Sequence, residues 1–352
     1  MDNNKKISSF QGIRGYAIIL IFISHCCFFY NKHGDNAFSH IGGLGVSIFI
    51  MLSGYLLAFQ NREYVSLISI EKIKKSLIRF YPLHVVTLLL SMPLSIGLFL
   101  HGNTIRHILC LIINALLLQA WVPFKSVYFS YNAVSWYLSL NMYFIILGPV
   151  TQRIIMRIKK KLAIIILILV LAFEVLWCFV FNNTSVAHWI IYILPAIRYV
   201  DFLAGGLLFK YVDLNNKNNS ITSLVLLLFS FVFTTLFSVL SINSNSKFFS
   251  VSIWYLPALM LIMAVALGNR TSKIIKVVFS NRVILYIGNL SFELFLFHQL
   301  IIRYLSFISS KFFHYNGAII YILAFPFSLL SAELWKNVEK RIKTYKSSQL
   351  KS

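Results

Sequence analysis

The chain has 352 residues, 59% of them hydrophobic and 12% charged, with a formal net charge of +22. Soluble domains carry roughly 25% charged residues, so this composition excludes a soluble enzyme and implies an all-α polytopic membrane protein. Any chemistry must then take place within or beside the bilayer, and the basic excess needs no nucleic-acid partner, because Lys and Arg in cytoplasmic loops account for it.

The first apolar run, 13–30, leads into a second with no small-residue cleavage site between them, so no cleavable signal peptide is expected. It contains Arg14 and His25. Their spacing of eleven is close to three helical turns, which puts both on one face, about 16 Å apart along the axis. Both are costly in lipid. Together they suggest charge recognised at one depth and a proton moved at another. Taken singly, Arg14 reads as a snorkelling anchor and His25 as a satisfied hydrogen-bonder. Cys26 and Cys27 beside it read as apolar packing. With Cys110 and Cys178 they show no CxxC spacing, so neither a disulfide framework nor a metal site is expected.

The second run, 41–60, carries Gly42, Gly45, Ser53 and Gly54, which permit close helix packing. Before the third run, 80–101, lie Lys74, Lys75 and Arg79. These serve either as positive-inside anchors or as a site for an anionic ligand at the cytoplasmic mouth. The run 105–121 holds Arg106, His107, Asn114 and Gln119 and is the weakest span. Run 134–151 opens with Trp136 and Tyr137, suited to an aromatic belt, and has Ser139 and Asn141 deeper in. Run 162–181 buries Glu174. Run 188–209 has Arg198 and Asp201 three residues apart on one face; they read equally as a structural ion pair or a catalytic one. Runs 221–242 and 250–268 follow. Run 283–305 places Ser291 and His298 two turns apart, and run 317–335 ends near Glu333.

If all eleven runs crossed, the five basic residues at 153–161 would be external, against the positive-inside rule. If 105–121 does not cross, every basic cluster becomes cytoplasmic. The result is about ten spans with both termini inside, and 24 of the 32 Lys and Arg residues on that side. Residues 1–345 then form one membrane-embedded domain, and 346–352 a short basic tail. A re-entrant 105–121 requires protein cover or water. No internal repeat is visible, which counts mildly against repeat-built transporters.

Several segments, in order, resemble the acyltransferase-3 family of integral membrane acyltransferases. Phe10-Gln-Gly-Ile-Arg-Gly-Tyr-Ala17 followed by His25 resembles D-G-L-R-G-x-A with its Arg-x10-His pattern. Val46–Tyr55 is similar to V-D-x-F-F-x-L-S-G-F, and Lys74–Pro82 to R-R-x-x-R-I-Y-P. Trp136-Tyr-Leu-Ser139 resembles W-S-L-S-V-E, Arg198–Gly205 resembles R-x-x-E-F-x-x-G, and Ile287–His298 resembles G-x-x-S-Y-x-L-Y-L-x-H. Glu339 matches the closing acid. The chain departs from the pattern at Ser47 and Asn141, where acids are usual, and at Arg341, where proline is usual.

The resemblance implies acyl transfer, by default acetyl from acetyl-CoA, to a hydroxyl of a lipid-linked or surface glycan such as O-antigen, capsule or exopolysaccharide. It implies a multi-pass protein of the bacterial cytoplasmic membrane, with acetyl-CoA as substrate and no permanently bound cofactor. His25 would be the base, with direct transfer and an acyl-histidine both fitting. Arg14, Lys74, Lys75 and Arg79 would meet the phosphates of CoA. Ser139, Tyr137 or Asn141 would donate to the oxyanion, and Asp201 would stand in for a missing acid. Arg198 and His298 join the substrate-binding set. With no appended hydrolase-like domain, the sequence most resembles the stand-alone polysaccharide O-acetyltransferases. A flippase or transporter for a lipid-linked glycan explains the spans and buried charges equally well, but not the ordered motifs. A glycan polymerase would show a larger external loop.

Overall fold

A computed structural model describes residues 8–30, 38–60, 70–95, 103–212, 220–242, 252–313 and 318–349. These residues form helices and no strand. In lipid every backbone N–H and C=O must find a partner within the protein, and a helix supplies those partners within one segment. The α-helices of seven residues or more are α1 Ser8–Tyr30, α2 Gly42–Gln60, α3 Ile70–Ser91, α4 Thr104–Ala115, α5 Trp136–Arg157, α6 Lys160–Phe181, α7 Pro195–Tyr211 and α8 Ser220–Leu240. They continue with α9 Tyr255–Gly268, α10 Lys273–Phe279, α11 Arg282–Asn289, α12 Ser291–Ile308 and α13 Ile319–Gln349. Among the described residues eight helices are long and apolar enough to cross a bilayer, or nine when α9 and α10, bent by 119°, count as one span. The 22-residue α3 is of similar length but begins with a basic half.

The core is built on α1, α2 and α7. Antiparallel packing of α1 on α2 brings Phe10 against Tyr55, with ring centroids 5.2 Å apart, and Gly42 against Ser24. α2 and α7 run parallel in backbone contact. A Cβ on Gly205 would lie 1.8 Å from the Met51 carbonyl oxygen, and one on Gly54 would lie 1.9 Å from that of Phe202. The small residues of the second run therefore do what their sequence suggests.

The basic segments gather at one end of the bundle. Near the start of α1, Ser9 donates to Asn269 and shares a hydrogen bond with Ser280. Lys210 at the end of α7 donates to the Met156 carbonyl at the end of α5, and Lys160 lies over the Tyr211 ring. Lys336 donates to the Asn289 carbonyl. Arg153–Lys161, Arg270–Arg282 and the segment from Lys336 thus share the end where α1 begins. Lys5, Lys6 and Arg62 lie outside the described residues.

The run 105–121 does not form a membrane-length helix. α4 has twelve residues, about 18 Å, against roughly 30 Å of hydrocarbon. Leu117 then adopts φ 57°, and the chain passes down beside α5. Its irregular backbone is satisfied by side chains. Ser139 Oγ donates to Leu117 O at 2.6 Å, Trp189 Nε1 to Ala120 O at 3.0 Å, and Gln119 Nε2 to Ser135 O at 2.8 Å. This is the protein cover that such a segment needs at membrane depth.

Two further runs differ from uninterrupted spans. The run 283–305 is broken at Leu290 into α11 and α12. The break lets Gly288 press on the backbone of α1, where a Cβ would lie 2.0 Å from Gln11 O. The run 188–209 begins with a π-helical turn, Trp189–Ile193, and restarts as α7 at Pro195. Proline brings no N–H to bond backwards, so it suits the first position of a new helix.

Candidate active site

α1 turns the face bearing Arg14 and His25 towards protein. His25 Nδ1 lies 2.7 Å from His298 Nε2 on α12. The two rings are parallel to within 5°, with centroids 4.9 Å apart. His298 is fully buried, and its Nδ1 lies 3.1 Å from the Leu294 carbonyl one turn back. His25 is half-buried. Phe22 and Phe295 flank the His298 ring. The turn before α5 reaches the same depth, since Asn132, fully buried, donates to Leu296 O at 3.0 Å.

About three turns towards the basic end, Arg14 lies half-buried and donates to Gln11 Oε1 at 3.3 Å. The charged and polar groups within its electrostatic reach are Tyr137 of α5 and Arg79 of α3. Tyr137 is buried, and its hydroxyl is in hydrogen-bonding reach of Asn141 and Ser53. Its ring packs on Phe295 at 5.1 Å, and Phe295 in turn packs on His298 at 5.8 Å. An aromatic wall thus joins the arginine level to the histidine level. Arg14 thus has a second guanidinium, that of Arg79, and the Tyr137 hydroxyl within electrostatic reach, while the Ser53 hydroxyl donates to Phe49 O at 2.7 Å. Lys74, Lys75 and Arg79 are exposed on the first half of α3. Lys75 pairs with Glu71 at 2.7 Å, and Arg79 is the member of the trio within electrostatic reach of Arg14.

A second polar centre is closed to solvent. Arg198 Nη2 pairs with Asp201 Oδ2 at 2.9 Å and donates to Ser47 Oγ at 3.3 Å, and Nη1 donates to the Tyr255 hydroxyl at 3.0 Å. Its guanidinium also lies over the Tyr192 and Tyr255 rings. Glu174 of α6 brings a second carboxyl against Asp201. All these groups are nearly or fully buried except Tyr192, which is partly exposed. Neither Asp201 nor Ser139 contacts the histidine pair: Asp201 is engaged by Arg198, and the Ser139 hydroxyl is committed to Leu117.

Residues 7–333 match the family model described as an acyltransferase domain. The chain belongs to the acyltransferase-3 family. It is also similar to the acyltransferase MdmB of Streptomyces mycarofaciens, with 28% identity over 165 residues. The aligned stretch covers 44% of this chain and 42% of MdmB, so the match spans less than half of that relative's length. No solved structure matches.

The family segments supply the residues of both centres. The first supplies Arg14 and His25, the second Ser47 and Ser53, the third Arg79, the fourth Tyr137, the fifth Arg198 and Asp201, and the last His298. Ser47, where the family pattern has an acid, is a neutral partner of Arg198. Asn141, the other such position, stands beside Tyr137.

Sequence reasoning missed Tyr255, Gln11 and Asn132, and gave Ser53 a packing role only. An isolated tyrosine in an apolar run carries no signal of what its hydroxyl meets. Asn132, in a turn, looks like turn chemistry until α12 is placed against it.

Proposed function

We propose that this chain transfers an acyl group, acetyl from acetyl-CoA by family default, to a hydroxyl of a surface or lipid-linked glycan. The observation that carries the reading is the placement of Arg14 and His25 on one protein-facing wall of α1, each with partners suited to a different task. The basic end faces the cytoplasm in this reading, which follows the positive-inside rule. The family resemblance supplies the rest of the reading, a bacterial cytoplasmic membrane with donor on one side and glycan on the other.

Arg14, with Tyr137 and its neighbour Asn141 in reach, and Arg79 hold the phosphates of the donor. Lys74 and Lys75 add to the positive field at the mouth, which speeds the arrival of an anion. The thioester then extends along the aromatic wall towards His25. A neutral imidazole there takes the proton of the attacking hydroxyl. The hydroxyl oxygen bonds to the acyl carbon, the carbon–sulfur bond breaks, and the proton passes to the departing sulfur. An acyl-histidine route uses the same imidazole as nucleophile. Arg198 and Asp201 contribute by fixing α2 against α7, which positions the wall that carries Ser53.

The test is label transfer. Purified protein in nanodiscs is supplied with acetyl-CoA labelled in its acetyl group and with envelope glycan from a strain that lacks this gene. Label appearing in the glycan as an alkali-labile ester supports the reading. Absence of both ester formation and donor turnover, with glycan movement across the bilayer instead, would assign the chain to transport.

A further inference from the structure

We infer that His298 is the positioning residue that fixes the tautomer of His25 and shares the charge that forms on it. The inference deepens the proposed acyl transfer and rests on it. Its basis is a chain of two contacts, from His25 Nδ1 to His298 Nε2 at 2.7 Å and from His298 Nδ1 to Leu294 O at 3.1 Å.

A backbone carbonyl can only accept a hydrogen bond. His298 Nδ1 must therefore carry the hydrogen that it donates to Leu294. In a neutral imidazole one nitrogen donates and the other accepts, so His298 Nε2 is bare. The 2.7 Å contact is then made by the Nδ1–H of His25. That leaves the lone pair of His25 on Nε2. The reverse arrangement would press the lone pair of His298 Nδ1 against the lone pairs of Leu294 O, with no proton between them.

The arrangement assigns one job to each nitrogen. His25 Nε2 takes the hydroxyl proton. The imidazolium so formed already has its other N–H bonded to His298 Nε2, which attracts that proton more strongly as charge develops. His298 keeps its own proton on Leu294 throughout. When Nε2 returns its proton to the departing sulfur, the pair reverts to its starting state with no proton gained or lost. A carboxylate plays the corresponding part in serine hydrolases, holding the imidazole in one tautomer. Here a second imidazole does so without placing a negative charge in the bilayer, where it would be costly. Burial of His298 and its packing between Phe22 and Phe295 hold the accepting ring in place. Asn132, bonded to Leu296 O between Leu294 and His298, stiffens the same turn of α12.

His298→Ala and His298→Gln distinguish this role from donor binding. Both are purified and checked for monodispersity, and labelled-acetyl transfer is measured over a range of acetyl-CoA concentrations. The account expects His298→Ala to lower kcat by roughly 10²- to 10⁴-fold, the range for loss of a tautomer-fixing partner, with the donor KM within about twofold of wild type. Glutamine, whose carboxamide oxygen can accept from His25 Nδ1 and whose N–H can donate to Leu294, recovers part of that loss. In ¹⁵N-histidine spectra of the membrane-embedded protein, His25 is protonated on Nδ1 in wild type and shifts towards Nε2 in His298→Ala. A raised KM with unchanged kcat, or an unchanged tautomer, would overturn the inference. A dead His25→Ala alongside a fully active His298→Ala would remove the relay and leave the acyl-transfer reading in place. An active His25→Ala would remove both.

Discussion

Arg14→Lys preserves a positive charge but loses the planar fork that can hold two phosphate oxygens at once. The donor KM is expected to rise by about tenfold, or about 1.4 kcal/mol, with kcat changed much less. Initial rates over a range of acetyl-CoA concentrations measure this, and an unchanged KM would move the donor site away from Arg14. The residue scale is also where the sequence was most legible. The eleven-residue interval from Arg14 to His25 fixes their shared face through helical pitch alone. It does not show what opposes that face, because His298 arrives from 273 positions away in the chain. Ser139 and Asp201 illustrate the limit from the other side. Their residue types suit catalysis, yet their partners are Leu117 O and Arg198, and partners are a property of the fold.

At the scale of elements, α4 and the segment after it separate structural from chemical roles. The Ser139 hydroxyl supports the bend at Leu117, where φ is 57°. Ser139→Ala is expected to lower stability by about 1 kcal/mol while leaving kcat near wild type. Thermal unfolding in detergent beside the label-transfer assay checks this; a large fall in kcat with unchanged stability would return Ser139 to the chemistry. The α2–α7 contact responds more strongly. The Cβ added by Gly205→Ala meets the Met51 carbonyl oxygen, so the helices must part, at a cost of about 1–3 kcal/mol or more. A lower unfolding temperature is expected, and an unchanged one would contradict the backbone contact. Composition marked run 105–121 as the weak span, and α4 is indeed too short to cross. The break at Leu290 was not legible, because it answers to the α1 backbone at Gln11 rather than to any proline or polar cluster in its own run.

For the whole molecule, the charge distribution and the helix packing agree by separate routes. The sequence assigns the basic clusters to one side, and the structure gathers those it describes at one end, through Ser9, Lys210 and Lys336. Which side of the membrane that end faces is a matter for labelling. In a variant without native cysteines, a cysteine at Arg341 should react with an impermeant maleimide only after lysis. One at Lys311, exposed beyond α12, should react in intact cells. The opposite pattern would invert the topology and put the donor site on the wrong side for cytoplasmic acetyl-CoA. Most of the ten expected spans were legible because hydropathy is a local property: among the described residues eight helices, or nine with the bent pair, are long and apolar enough to cross. The buried centre of Arg198, Asp201, Glu174, Ser47 and Tyr255 was legible only in part, since four helices contribute to it.

The most direct measurement is label transfer from acetyl-CoA to glycan by His25→Ala, in membranes where the variant is shown to insert at wild-type level. With the imidazole at the centre of the chemistry, ester formation falls to background while donor binding persists. Ester formation at the wild-type rate in that variant would contradict the account.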